Sequence, residues 1–175
     1  MSHPFLSLIL AFFISSQAIA NTNYSAFLLG DLNRYDYSLN VTPTQTIKVE
    51  GKLGYGAGLL IESAPAKVIG IEFGAAYLKR QYKLTVPAGL RVNSADEDTW
   101  VHLPLGTRVH LGLLSIAAGG FYEIGLDDQD ANYGAWAGLR TDFGPIFIEG
   151  RYLAGLKDYD GVKQNDIFVM LGLSF

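Results

Sequence analysis

The residues best suited to chemistry in this chain are His102, Ser115 and Glu123, a base, a hydroxyl and a carboxylate. A hydrolase needs a nucleophile, a base within hydrogen-bond reach and a group that orients the base. The period of two along the flanking segments puts all three on one face of two adjacent strands. No His-x-Ser spacing sets a base and a hydroxyl side by side on one strand face, since His102 is followed by Leu103-Pro104. The reading is therefore that the chain is not an enzyme. One histidine among scattered carboxylates also lacks the ligand spacing of a metal site, so neither a metal nor another cofactor is expected.

A second set of chemically capable residues is larger and shares one parity: Glu50, Lys52, Glu62, Glu72, Arg80, Arg108, Glu123, Arg140, Asp142, Glu149 and Arg151. Six acids face five bases, so their charges nearly cancel. Glu50 with Lys52, Arg140 with Asp142, and Glu149 with Arg151 are pairs two residues apart, which point the same way on a strand. A two-residue turn at Gly144-Pro145 would set Arg140 directly opposite Glu149. Charges of this kind avoid a large burial penalty only when paired and hydrogen-bonded. They predict a salt-bridged interior, with an ion path as the sharper alternative.

The third set is acidic. Asp96-Glu97-Asp98 and Asp127-Asp128-Gln129-Asp130 fall in polar connections. Hydrated surface is the plain reading. A divalent cation bridging to lipopolysaccharide phosphates is the sharper one, since hard cations take carboxylate oxygens. Binding of a protein or host ligand is the third.

The elements that must position these residues follow from composition and periodicity. The chain has 175 residues, 49% hydrophobic and 17% charged, with net charge −4 and no cysteine; mean hydropathy is +0.19. The low charge excludes a disordered chain, and the absence of a basic field excludes nucleic acid as a partner. Lacking cysteine, it has no disulfides, thiolate metal sites or lipoprotein anchor. Phe5 to Ile14 is an apolar run, followed by Ser15-Ser16-Gln17 and Ala18-Ile19-Ala20. This is the pattern of a signal peptide over residues 1–20, with Ala18 and Ala20 flanking the cleavage site and residues 21–175 forming the exported domain. The n-region departs from that pattern in having no Lys or Arg.

Beyond Ala20 no stretch approaches the length of a membrane helix. Instead, apolar residues alternate with polar or small ones. The clearest runs are Ile47 to Glu62, Val68 to Arg80 and Ile167 to Phe175; weaker ones are Tyr24 to Tyr35, Trp100 to Val109, Leu113 to Leu126, Tyr133 to Asp142 and Ile146 to Leu156. About eight strands result. Short turns at Ser63 to Lys67, His110 to Gly112 and Phe143 to Pro145 alternate with longer connections over Asp36 to Thr46, Tyr82 to Thr99, Asp127 to Asn132 and Lys157 to Asn165. Three short and four long connections are the plan of an even-stranded meander whose termini share the short-turn side. Pro104, inside a strand, is the one discordant residue.

Alternation alone does not say which face is apolar outward. The polar parity is rich in glycine and alanine, which suit a crowded lumen better than a hydrated exterior. Tyr35, Tyr37, Tyr77, Trp100, Tyr133 and Tyr152 fall near the long-connection ends, and Phe143 and Phe175 near the short-turn ends. Two aromatic girdles flanking an apolar band mark a lipid-facing surface.

On the segments Ala18-Ile19-Ala20, Trp100 to Val109 with Leu114 to Gly120, and Ile167 to Phe175, the chain resembles the small eight-stranded outer-membrane barrels related to the membrane domain of OmpA and to OmpX. The resemblance implies an all-β, eight-stranded antiparallel up-and-down transmembrane barrel in a Gram-negative outer membrane. It also implies that the assembly machinery reads Ile167, Val169, Leu171, Leu173 and Phe175. The partners expected are outer-membrane lipid, lipopolysaccharide, that machinery and an unidentified surface ligand, with the chain a monomer. Nothing after Phe175 suggests attachment to the cell wall. A small-solute porin and an exported soluble barrel holding an apolar ligand are the alternatives.

Overall fold

A computed structural model describes residues 22–33, 36–42, 45–66, 68–85, 97–127, 130–159 and 162–175. The expected signal segment with Ala18 and Ala20, and Tyr35 of the expected girdle, lie outside the described residues. Ten strands form one antiparallel sheet: β1 (Thr22–Asn33), β2 (Asp36–Thr42), β3 (Gln45–Gly51), β4 (Leu53–Ala66), β5 (Ile69–Thr85), β6 (Glu97–Leu111), β7 (Leu114–Gly125), β8 (Ala131–Phe143), β9 (Ile146–Tyr159) and β10 (Val162–Ser174). β1 pairs with both β4 and β10, and β5 with both β4 and β6, so eight strands close into a barrel. Closure leaves no unpaired edge around the wall.

The short connections are tight because glycine permits it. Leu111 faces Leu114 and Phe143 faces Ile146 across two-residue turns, and Gly112 and Gly144 have φ of 81° and 67°. A glycine with positive φ at the first central position is the type II′ requirement, and Pro145 at the second excludes type I′. Pro65 lies where the β4–β5 register slips, between Ser63 and Ala66. Pro104 is tolerated inside β6 because the β5–β6 register is interrupted there, between Phe73↔Leu105 and Ala76↔His102, while β6 and β7 stay paired.

Parity along each strand separates two environments. Leu28, Leu59, Leu105, Ile116, Leu139, Ile148 and Leu171 point outward and are exposed. They belong to an apolar belt running round the whole barrel, far beyond the isolated patches water tolerates. Tyr55, Tyr77, Tyr122, Tyr133 and Tyr152 face outward toward the long-connection end, and Tyr24, Phe143 and Phe175 toward the other. Trp100 corrects the expected girdle: it is buried in the lumen, because β6 sends its even-numbered residues inward.

The lumen is filled. Phe27, Leu78, Phe121, Trp136, Phe147, Phe168 and Met170 are buried there among the charges. Their rings fit because the small parity makes room. A Cβ on Gly106 would lie 2.5 Å from Trp136 Cζ2, and one on Gly134 would lie 2.7 Å from Phe121 Cε1. Eight strands enclose a space side chains can fill, and these do so.

One departure changes the polarity of a wall. Gly51 faces Tyr82 while Tyr55 faces Lys79, so four steps along β3–β4 match three along β5. The extra residue is a bulge at Lys52, whose N–H donates to the Gln81 carbonyl at 2.8 Å. A one-residue slip exchanges the faces of a strand. β3 therefore runs on from β4 with its parity reset, so that Glu50 faces outward opposite Lys83, and with β2 and the end of β5 it continues the wall beyond the barrel, where a long connection was expected over Asp36 to Thr46. The expected connection over Lys157 to Asn165 is likewise mostly strand, since β9 and β10 pair out to Tyr159 and Val162.

Gly106→Leu should lower unfolding free energy in detergent micelles by about 1–3 kcal/mol, because Trp136 must leave its place. Gly150→Ala meets nothing within 4 Å and should leave urea unfolding unchanged; equal effects would contradict the ring-over-glycine packing.

Candidate functional site

The lumen holds the densest chemistry, and alternation builds it. Each inward residue on a strand meets inward residues of strands across the barrel, so groups distant in sequence converge. Two clusters form, each around arginine.

Toward the long-connection end, Arg80 on β5 is fully buried and reaches three other strands. Its Nε donates to Asp31 of β1 at 2.9 Å, its Nη1 and Nη2 to Glu123 of β7 at 3.1 and 2.9 Å, and Nη2 also to Asp166 of β10 at 2.7 Å. Arg80 lies 5.4 Å from the centroid of the Trp100 ring. His102 Nδ1 sits 2.9 Å from Glu123 Oε1, and its ring is flanked by Phe121 and Phe168. Asn132 donates to Glu123, and Gln164 to Asp166. Three carboxylates share one guanidinium, and Asp31 Oδ1 and Asp166 Oδ1 find no donor among the described residues. Acceptors outnumber donors in this cluster.

Toward the short-turn end, Arg108 of β6 donates to Glu72 of β5 at 2.5 Å, to Glu149 of β9 at 2.9 Å and to Ser115 of β7 at 3.0 Å. Arg151 of β9 pairs with Glu72 at 2.7 Å and Glu149 at 2.6 Å, and stacks 4.1 Å from the Trp136 ring centroid. Glu62 lies 3.6 Å from Arg108 and also bonds His110. Below them Arg140 pairs with Asp142 at 2.6 Å and donates to Ser174 at 2.8 Å.

The geometry redistributes the expected charges. Glu62, Glu72, Arg80, Arg108, Glu123, Arg140, Glu149 and Arg151 are buried in the lumen, and Asp142 is half-buried at its edge. Glu50 and Lys52 are outside it and exposed, because the bulge at Lys52 turns Glu50 outward, where it approaches Lys83 at 3.9 Å. Arg140 does face Glu149 in the register. Its side chain nevertheless turns to Asp142, while Glu149 is held by Arg108 and Arg151. The lumenal acids missing from the expected set are Asp31 and Asp166. Asp31 has inward parity with Ser25, Phe27 and Leu29, a signal blurred because Leu28 and Leu32 make both parities of β1 apolar. Asp166 sits one residue before the last alternating run.

The triad of sequence is broken in space. His102 and Glu123 do meet, but Ser115 bonds Arg108 in the other cluster, eight residues along β7 from Glu123. At about 3.3 Å per residue that is some 26 Å. The buried imidazole of His102 is held by Glu123, the carboxylate that also takes Arg80.

Of the acidic connections, Glu97 is held by Lys79 at 2.9 Å, Asp127 accepts the Thr99 N–H at 2.7 Å, and Asp130 lies 3.6 Å from Lys157. Asp96, Asp128 and Gln129 lie outside the described residues. Among the described residues no group of three or more His, Asp or Glu side chains is arranged to hold a metal ion. Ile167, Val169, Leu171, Leu173 and Phe175 share the outward parity of the closing strand, and Phe175 and Tyr24 exchange backbone hydrogen bonds of 2.8 and 3.1 Å at the seam.

No family model and no curated protein matches the sequence. Solved structures do match the fold. OprG from Pseudomonas aeruginosa is similar over 89% of this chain and 96% of its own, at 14% identity and a TM-score of 0.59. Ail, the attachment invasion locus protein of Yersinia pestis, is similar at 14% identity: its crystal structure over 89% of this chain and 99% of its own with TM-score 0.50, its nanodisc structure over 87% and 99% with TM-score 0.54. Both are outer-membrane proteins. The chain has the fold of the small outer-membrane β-barrels.

Arg108→Met, which leaves Glu72 and Glu149 short of a partner in the dry lumen, should cost about 3–5 kcal/mol of unfolding free energy in micelles. Lys157→Met removes a partly exposed ion pair with Asp130 and should cost about 0–1 kcal/mol; urea titration of both variants compares them.

Proposed function

We propose that this chain is an integral barrel of a Gram-negative outer membrane with a structural or surface-interaction role carried by its loops. The observation that supports this most is the continuous outward belt of exposed apolar side chains around a closed wall with a filled, ion-paired lumen. Such a belt needs a hydrocarbon surrounding, and a closed wall is the only sheet that satisfies its backbone there. Residues 1–20 serve as the cleaved export signal. Both ends of the barrel domain lie in the periplasm, with the short turns, and the four longer connections face outside. Ile167, Val169, Leu171, Leu173 and Phe175 carry the assembly signal, and the barrel acts as a monomer.

The interior supports a closed barrel over a porin. Arg80, Arg108 and Arg151 cross the lumen from wall to wall, and rings fill the space between them. A soluble ligand-binding barrel would need its apolar parity inside. Activity on a substrate is disfavoured because His102 and Glu123 are buried and Ser115 lies far from them. Binding therefore falls to the loops, which on a rigid barrel are free to vary. Ail is the attachment invasion locus protein of Yersinia pestis, and attachment through the loops is the form of surface interaction favoured for this chain.

Fractionation of expressing cells, with electrophoresis of unheated and boiled samples, tests the reading. The protein should enter the outer-membrane fraction and migrate differently once boiled; recovery from the soluble periplasm would overturn it. Planar-bilayer recordings should show no steady ion conductance, and discrete open steps would restore the porin alternative.

A further inference from the structure

The bulge at Lys52 does more than displace Glu50 from the lumen. On β5, Lys79 and Lys83 both point outward with Gln81 between them, and Lys52 hydrogen-bonds the Gln81 backbone from the neighbouring strand. Lys79 and Lys83 are thus about 13 Å apart along the strand, with Lys52 beside their midpoint. Directly toward the belt, Lys79 faces the exposed Tyr55, and Tyr77 is the next outward residue of β5. Tyrosines at the margin of an apolar belt sit at lipid headgroup level, so these lysines project where headgroups lie.

We propose that this outward face of β3, β4 and β5 is a binding surface for the phosphate groups of lipids in the leaflet at the long-connection end, with Lys52, Lys79 and Lys83 supplying the charge and Tyr55 and Tyr77 flanking hydroxyls. Lys52 has no ion pair among the described residues. The two glutamates present are weakly committed: Glu50 stands 3.9 Å from Lys83, and Glu97 pairs with Lys79 with both side chains at least one-third exposed. Exposed pairs of this kind contribute little, so a phosphate, with more charge and more acceptor oxygens, displaces them readily. The neighbouring strands have the contrary sign. Asp98, Asp127 and Asp130 line a shallow recess between β6 and the β7–β8 connection, so the basic wall along β3 to β5 is bounded on its β6 side by an acidic one. Long flexible ammonium stems suit this role, reaching from a rigid strand to headgroups of varied depth.

The inference rests on the outer-membrane reading, and its test separates the two. The full exported domain is refolded into phosphatidylcholine vesicles containing spin-labelled phosphatidic acid or spin-labelled phosphatidylcholine, and the motionally restricted lipid fraction is measured. Wild type should prefer phosphatidic acid by about fivefold for each lysine engaged, with the preference falling as salt rises. Lys52→Gln/Lys79→Gln/Lys83→Gln should abolish the preference, the triple Arg variant should keep it, and Lys157→Gln should leave it intact. Insertion with no preference in wild type, or an undiminished preference in the triple Gln variant, would overturn the headgroup surface alone. Failure to insert would overturn the membrane reading together with it. Saturable binding of inorganic phosphate to the same lysines in zwitterionic micelles, without preference in vesicles, would reassign the surface to a soluble phosphate and overturn the lipid assignment.

Discussion

The pairing of buried guanidinium with buried carboxylate across the lumen is the interaction on which the rest of this barrel depends. An outward face made apolar all round sends every necessary charge inward, where there is little room and little water. An ion isolated there would be strongly disfavoured. Arg80 joins β5 to β1, β7 and β10, Arg108 joins β6 to β5 and β9, and Arg151 joins β9 to β5. The pairs are charge-assisted and in part bidentate, the strong class of hydrogen bond. Apart from Arg108–Glu72, which spans the paired β5 and β6, they brace walls that share no backbone contact, and we read them as fixing which side chains meet in a lumen that backbone pairing alone would leave open to several packings.

The same economy of space explains the small residues. Rings at Trp136 and Phe121 lie over Gly106 and Gly134, so the glycines of the inward parity are the complement of the aromatics rather than a sign of an open bore. A filled bore moves any specific recognition to the ends of the barrel and to its outer face. At the long-connection end those surfaces differ round the circumference, acidic beside β6 to β8 and basic along β3 to β5. The inserted residue at Lys52 adds to that asymmetry by setting Lys52 beside the outward Lys79 and Lys83 of β5.

Much of this was legible in the sequence because a closed barrel repeats one rule. Period-two alternation located all eight wall strands, and the positions of short turns and long connections set their order. The inward arginines followed from parity alone. What parity does not contain is register across strands that are not sequence neighbours. Arg140 and Glu149 are opposite as expected, yet the lumen offers each a nearer partner. Parity also fails wherever a bulge resets it, which is why Glu50 and Lys52 stand outside the lumen. Trp100 was misplaced for a different reason: aromatic residues near strand ends resemble a girdle until their odd or even position is weighed. Asp31 and Asp166 were hidden by a strand apolar on both faces and by a strand boundary.

Collisional accessibility along β10 addresses the central claim most directly. Nitroxides placed singly from Phe168 to Leu173 in the bilayer-inserted protein would be probed with oxygen, which partitions into hydrocarbon, and with a water-soluble nickel chelate. Val169, Leu171 and Leu173 should show high oxygen accessibility, alternating with low accessibility to both reagents at Phe168, Met170 and Gly172. Inverted alternation, or nickel access at the inward positions, would contradict a lipid-facing apolar wall around a dry, ion-paired lumen.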